Sequence, residues 1–214
     1  MDGIWAFLAV TMVLSISPGP DDVLVLRSAL AGGARLGMAT VAGVAAGSFA
    51  WGGATAVGLA AVVARSAPAL EACRLVGACY LVLLGVAPIL AAVSGRARRV
   101  ALLLPPDSGG QPRAPAGARC AFSVGLMSDL LNPKIGLFYV AVIPRFVPPG
   151  APALQYSMLL CAVDIGVAVT WLAALTWLAH GAVTWLLRPR VVLWSQWIFS
   201  ACLIGLGVST AVAR

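Results

Sequence analysis

Six stretches of about twenty apolar residues recur along this chain, and they constrain its fold more than any other feature of the sequence. A helix of about 20 apolar residues crosses the hydrocarbon core of a bilayer. The candidate spans cover residues 4–31, 38–64, 70–93, 120–143, 154–177 and 191–213. We therefore predict an all-α membrane protein with six transmembrane helices.

The composition excludes a soluble fold of ordinary kind. Hydrophobic residues make up 61% of the 214-residue chain and charged residues 10%, whereas a soluble domain has about 25% charged residues. So few charged side chains cannot cover the surface of a water-soluble domain of this size. A lipid bilayer is therefore an expected partner of the chain.

The basic residues indicate membrane orientation and not nucleic-acid binding, although the formal net charge is +7. They cluster between the apolar stretches, as the positive-inside rule describes. With the N-terminus outside, the cytoplasmic loops contain nine arginines: Arg27, Arg35, Arg96, Arg98, Arg99, Arg113, Arg119, Arg188 and Arg190. The outer segments contain four: Arg65, Arg74, Arg145 and Arg214. We predict a bacterial inner-membrane protein with both termini in the periplasm.

The first span is interrupted by prolines in the run Ser17-Pro18-Gly19-Pro20-Asp21-Asp22. Proline lacks a backbone donor, and glycine tolerates unusual dihedral angles, so a helix cannot continue unperturbed here. Gly19 is suited to be the N-cap and Pro20 the first residue of a new helix. The two aspartates would then lie in its first turn, where the helix dipole favours negative charge.

The fourth span carries a similar interruption at Asn132-Pro133-Lys134. Asparagine is a preferred N-cap and proline is favoured directly after it. Broken helices at membrane depth are tolerated where they are buried in protein or line an aqueous cavity. Two such breaks in corresponding halves of a chain indicate a transporter's substrate site. The structural alternative is a pair of packed kinks.

The spans divide into two sets of three around a basic loop. Because each set has an odd number of spans, homologous halves would be inverted relative to each other. The boundaries we predict are 1–93 for the first repeat, 94–119 for a cytoplasmic loop rich in proline and glycine, and 120–214 for the second repeat. Phe and Pro stand at the same spacing in residues 7–18 and 122–133.

Five ionisable residues lie in or near the spans: Asp21, Asp22, Asp129, Lys134 and Asp164. A charge at the centre of a span costs about 2.5–3.5 kcal/mol, and contact between Asp21 and Lys134 would offset part of this cost. A carboxylate can bind an ammonium group, while a lysine and helix N-termini can bind a carboxylate. Because carboxyl groups shielded from water also bind protons, Asp21, Asp129 and Asp164 are candidates for a coupling proton, and Asp22 is either a site residue or a capping acid.

Other functional classes have less support in the sequence. No enzyme signature is present, we expect no cofactor, and the five cysteines lack metal-ligand spacing. A metal-ion exporter with aspartate ligands and a non-transporting membrane scaffold stay open as alternatives, as does a homo-oligomer. A lone histidine, His180, cannot form a metal site by itself.

The chain resembles the LysE/RhtB family of bacterial amino-acid exporters. The resemblance rests on Ser17-Pro18-Gly19-Pro20-Asp21, Leu131-Asn132-Pro133-Lys134 and Ile204-Gly205-Leu206-Gly207, and on the glycines that follow the first broken span. It implies efflux of an amino acid or a close derivative, driven by an ion gradient and in particular by the proton gradient.

Seven residues match the family pattern and inherit a candidate role in the site: Pro18, Gly19, Pro20, Asp21, Asn132, Pro133 and Lys134. We add Ser17, Asp22, Asp129 and Asp164 as candidates for substrate binding or coupling. Asp22 and Asp129 depart from the pattern. They either favour cationic substrates or reflect neutral drift.

Overall fold

The computed structural model describes residues 2–65, 115, 117–148, 150–179 and 189–212, together with a few isolated positions between 75 and 86. Their regular elements are all α-helices: α1 Asp2–Ile16, α2 Pro20–Arg65, α3 Ala118–Leu130, α4 Pro133–Phe146, α5 Ala153–Trp177 and α6 Pro189–Val212. The predicted all-α class is therefore confirmed. The predicted third span, 70–93, and most of the predicted loop, 94–119, lie outside the described residues.

Two of these helices are long and apolar enough to cross a membrane by themselves, one within α2 and the other α5. A third candidate arises if α3 and α4, which meet at an angle of 54°, form one broken span. With its 25 residues, α5 is about 38 Å long, which exceeds the hydrocarbon core of about 30 Å.

A sharp bend divides α2 into two arms. Its 46 residues would extend about 69 Å if straight, more than twice the core thickness. The helix is interrupted at Gly32 and Gly33, and the φ of 67° at Gly33 is one that glycine adopts without strain. We name residues 20–31 the first arm and residues 34–65 the second arm. The bend coincides with the end of the predicted first span at residue 31.

The two arms fold back on each other. Val25, Leu26 and Ala29 of the first arm share a buried apolar cluster with Val41 and Val44 of the second arm. A side chain at Gly37 would meet the Thr176 side chain of α5 at 2.5 Å and the Ala29 side chain at 3.0 Å, so glycine here lets the second arm approach both α5 and the first arm. The first helical segment after the proline break is thereby fixed against the second arm.

Small residues bring the second arm and α3 into backbone contact. A side chain at Gly43 would overlap the carbonyl oxygen of Phe122, and one at Gly125 would overlap that of Thr40. Gly47 faces the carboxylate of Asp129 in the same way, since a Cβ atom at Gly47 would lie 2.6 Å from Oδ2. Gly43 and Gly47 are four residues apart, the spacing of small residues that lets two helices approach closely.

Two apolar clusters surround the middle of α5. Near its beginning, Leu160 and Cys161 pack with Phe7 of α1, Tyr139 of α4 and other buried side chains. Near its end, Leu172 and Leu175 pack with the two arms of α2. Asp164 lies on α5 between these clusters, with 11 residues of the helix before it and 13 after it. A polar layer therefore separates two apolar ones at the middle of this span.

Replacing Gly43 with alanine should destabilise the protein. Overpacking of this kind costs about 1–3 kcal/mol, because the added methyl group overlaps the backbone of α3. Gly58→Ala is the matched control, since Gly58 lies on the same helix with open space around it and alanine is the better helix former. Thermal unfolding of the detergent-solubilised variants measures the difference. Equal melting temperatures for Gly43→Ala and the wild type would contradict the packing described here.

Candidate functional site

The first break lies between α1 and α2. The last turn of α1 closes with a hydrogen bond from the Ser17 amide to the Val13 carbonyl, and α2 begins at Pro20. The Gly19 amide donates to Asp22 Oδ2 at 2.7 Å. Asp22 is the third residue of α2 and reaches back to the residue before the helix, as the acid of a capping box does. The interpretation of Asp22 as a capping acid agrees with this geometry.

The second break lies between α3 and α4. Asn132 is the N-cap of α4, and its side-chain oxygen accepts from the Lys134 amide at 3.0 Å. Pro133 follows it as the first helical residue. Both features follow from the sequence, since asparagine accepts the free amide hydrogens of a helix start and proline has none to satisfy.

Hydrogen bonds join the two breaks through Asp21. Its Oδ2 accepts from Asn132 Nδ2 at 2.7 Å, and its Oδ1 accepts from the Ser128 hydroxyl at 2.5 Å. Asp21 is 6% exposed, so both bonds are shielded from water. Hydrogen bonds to a charged group contribute about 1.5–3 kcal/mol each, and these two tie the start of α2 to the end of α3 and the start of α4.

Lys134 joins the breaks in the opposite direction. Its ammonium group donates to the carbonyl oxygens of Leu14 at 3.1 Å and Ser17 at 2.8 Å, at the C-terminal end of α1. Cations are favoured there by the helix dipole. The group also lies 4.8 Å from the centre of the Phe199 ring of α6, within the range of a cation–π contact.

The direct contact predicted between Asp21 and Lys134 is replaced by these two sets of bonds. No hydrogen bond joins the two side chains, both of which the structure describes. The reason is geometric, because each charged group bonds to polar groups of the opposite break that have no helical partner. Asp21 finds the amide of the α4 N-cap, and Lys134 finds carbonyls that α1 leaves without helical partners.

The second arm and α5 complete the site. Trp171 Nε1 donates to Asp22 Oδ1 at 2.8 Å, and the Ser48 hydroxyl donates to Asp129 Oδ1 at 3.0 Å. Asp129 Oδ2 and Asp164 Oδ1 have no hydrogen-bond partner among the described residues. Tyr139 lies beside Asp164, but its hydroxyl likewise forms no hydrogen bond with a described residue.

Residues of both breaks, the second arm and α5 line one cavity of about 50 Å³. Of the predicted site residues, the structure brings seven together in its wall: Gly19, Asp21, Asp22, Asp129, Asn132, Lys134 and Asp164. Apolar residues on the same wall include Val44, Ile135 and Leu172. A cavity with a few fixed polar groups among apolar ones is typical of a small-molecule site.

The other four predicted site residues contribute to the backbone of the breaks and not to the cavity lining. Pro20 and Pro133 begin their helices and are exposed, while Pro18 lies within the first break. Ser17 contributes its carbonyl oxygen to Lys134. None of these four belongs to the lining residues of the cavity.

Sequence reasoning missed three polar residues of the site: Ser48, Ser128 and Trp171. Trp171 follows Asp164 by seven residues, which places both on one face of α5, and this spacing was the available signal. Serines in apolar spans are common helix-packing residues, so nothing distinguished Ser48 and Ser128.

Comparison of the sequence with known proteins identifies the family of the chain. The family model of the LysE type translocator matches residues 12–214. The homoserine/homoserine lactone efflux protein of Salmonella typhimurium is 27% identical over 98% of this chain and 96% of its own length. A leucine efflux protein of the same organism is 26% identical over 75% of this chain and 71% of its own length.

An uncharacterised membrane protein of Bacillus subtilis, YrhP, is 26% identical over the full length of both chains. No solved structure matches the chain significantly. The family match extends from within α1 to the last residue, and it therefore includes both breaks and the whole cavity. The chain belongs to the LysE type translocator family.

Proposed function

We propose that this protein is a secondary transporter that exports a small amino acid or amino-acid derivative across the cytoplasmic membrane. The observation that carries the proposal is the pair of helix breaks, hydrogen-bonded to each other around a cavity at the middle of α5. A cavity that combines acidic groups with a lysine is chemically suited to a zwitterion. The efflux proteins among the relatives support the direction of transport.

In this proposal each pair of broken helices is one discontinuous transmembrane span. The first consists of α1 and the first arm of α2, and the second of α3 and α4. The two spans begin inverted halves, 1–93 and 120–214, that rock about the cavity. The loop 94–119 and the other arginine-rich loops between spans stay in the cytoplasm. Both termini are then periplasmic.

The names of the relatives point to small amino compounds as substrates. Homoserine, homoserine lactone and leucine have an amino group in common and differ in side chain. The lactone has no free carboxylate, so the amino group is the feature that all three share. We extend this substrate class, and not a particular amino acid, to the present chain.

Proton coupling is the second part of the proposal. Asp129 and Asp164 are 0% and 4% exposed, and each has an oxygen without a hydrogen-bond donor among the described residues. A buried carboxylate requires a cation or a proton to neutralise it. These two groups can therefore bind a proton when the cavity opens to one side and release it on the other, which makes the protein an antiporter.

The two alternatives are less well supported. Among the described residues, no group of three or more histidine, cysteine or acidic side chains is arranged to hold a metal ion. A non-transporting scaffold would have no use for a carboxylate that is buried without a donor, because such a group destabilises the fold. Export of an amino compound accounts for both features.

Asp21→Asn and Lys134→Ala should each slow export at least about tenfold. Each substitution removes a charge that connects the two breaks, and loss of one hydrogen bond to a charged group costs about 1.5–3 kcal/mol, which corresponds to about 10- to 100-fold in rate. Efflux of radiolabelled L-leucine or L-homoserine from preloaded cells measures the effect. Thr170→Val is the control, since the Thr170 hydroxyl bonds to its own helix on an exposed face. Wild-type efflux in either variant, at equal membrane abundance, would exclude that residue from the mechanism.

A protonophore should stop export against a concentration gradient. The physical reason is that substrate can leave the cell uphill only while protons move down their own gradient. The measurement uses inverted vesicles, in which export appears as uptake of the same labelled amino acids, with and without the uncoupler. An uptake rate that does not change when the proton gradient collapses would rule out proton coupling and leave amino-acid export in place.

A further inference from the structure

We infer that the substrate's ammonium group binds between Asp129 and Asp164, while its carboxylate lies toward Lys134. This inference rests on the proposed function and deepens it by assigning the two ends of the substrate to the two sides of the cavity. It differs from the sequence-based expectation, in which Asp21 was the ammonium ligand.

In two of the four acidic residues in the cavity, both carboxylate oxygens already accept a hydrogen bond. Both oxygens of Asp21 accept from side chains across the breaks, Ser128 and Asn132. Both oxygens of Asp22 accept as well, one from the Gly19 amide and the other from Trp171. These aspartates belong to the framework of the site, and donors of the protein already stabilise their oxygens.

The other two are incompletely bonded. Asp129 accepts from Ser48 at Oδ1, whereas its Oδ2 is buried without a donor among the described residues. Asp164 has a buried Oδ1 in the same condition. Leaving a buried polar atom unpaired costs about 1–3 kcal/mol, and more for a charged group. An ammonium group has three N–H donors and no acceptor, which is enough donors for one oxygen of each carboxylate in this shared cavity.

The surroundings fix these carboxylates in place. Asp129 is wedged against the second arm at Gly47, where no side chain separates it from the helix backbone. Asp164 is held between the two apolar clusters of α5, with Tyr139 beside it. Asp129 lies on α3 and Asp164 on α5, so a ligand that bridges them would connect two helices of the second half of the chain.

Lys134 supplies the complementary group. Two of the three donors of its ammonium group are used by the carbonyl oxygens of Leu14 and Ser17, which leaves one for a ligand. The charged side chains of the cavity therefore offer one oxygen without a donor at Asp129, another at Asp164 and one spare N–H at Lys134. An α-amino acid has the matching groups, an ammonium and a carboxylate on one carbon atom.

The test uses three probes with the same side chain: L-leucine, L-leucinamide, which has no carboxylate, and 4-methylpentanoate, which has no ammonium group. Binding to the purified full-length protein is measured by calorimetry. We expect the wild type to bind L-leucine and L-leucinamide and not 4-methylpentanoate. If the wild type bound 4-methylpentanoate with the same affinity as L-leucine, this result alone would overturn the inference.

Two kinds of variant assign the ends of the ligand. Asp129→Asn and Asp164→Asn, which keep the side-chain shape, should weaken L-leucine and L-leucinamide alike by about tenfold or more, as expected for a lost hydrogen bond to a charged group. Lys134→Ala also removes the bonds to Leu14 and Ser17, so it should weaken both ligands. The loss should be about tenfold or more greater for L-leucine than for L-leucinamide, since only L-leucine also loses a hydrogen bond to its carboxylate. Thr170→Val on α5 and Ser123→Ala on α3 are controls, because each hydroxyl bonds to its own helix on an exposed face.

The outcomes separate this inference from the proposed function. Unchanged L-leucinamide affinity in both aspartate variants, with L-leucine bound by the wild type, would overturn the ammonium site and leave the transporter assignment standing. Equal losses of both ligands in Lys134→Ala would overturn the carboxylate assignment. A wild-type protein that neither binds nor exports L-leucine, L-homoserine or L-lysine would overturn the proposed function, and this inference with it.

Discussion

The reciprocal bonding of the two helix breaks is the interaction on which the rest of the site depends. Each break leaves backbone groups without helical partners, and such groups are costly away from water. Here Lys134 of the second break satisfies carbonyl oxygens at the end of α1, while Asp21 of the first break receives Asn132 and Ser128. The defects created by the prolines therefore stabilise each other, and a cavity is left where they meet.

Much of this arrangement could be predicted because it is local. A proline removes a donor wherever it stands, so the ends of the helices at Pro20 and Pro133 follow from the sequence alone. The Asn132 cap and the bend at Gly32 and Gly33 follow in the same way, from residues that favour those backbone conformations. The apolar stretches likewise placed the described helices to within a few residues.

The partners of each charge could not be predicted, because they depend on the register between helices. Asp21 and Lys134 are opposite charges at matched positions, and sequence reasoning paired them directly. The close contact of the second arm with α3, made possible by Gly43 and Gly125, instead places Ser128 beside Asp21 and Ser48 beside Asp129. A shift of one residue at this contact would change both pairs, and no local pattern encodes such a shift.

The same packing explains how a rigid framework and a binding cavity coexist. Asp21 joins the two breaks and Asp22 ties the first break to α5, whereas Asp129 and Asp164 each keep an oxygen without a donor among the described residues. Apolar clusters slide or separate more easily than a charged network, because their contacts are not directional. In the proposed transport cycle, movement at the clusters would open the cavity to either side without disrupting the bonded breaks. Neutralisation of the free carboxylates, by a proton or by an ammonium group, removes the charge that would otherwise oppose closing the cavity. In such a design the ligand that is exchanged is also the one that permits the movement.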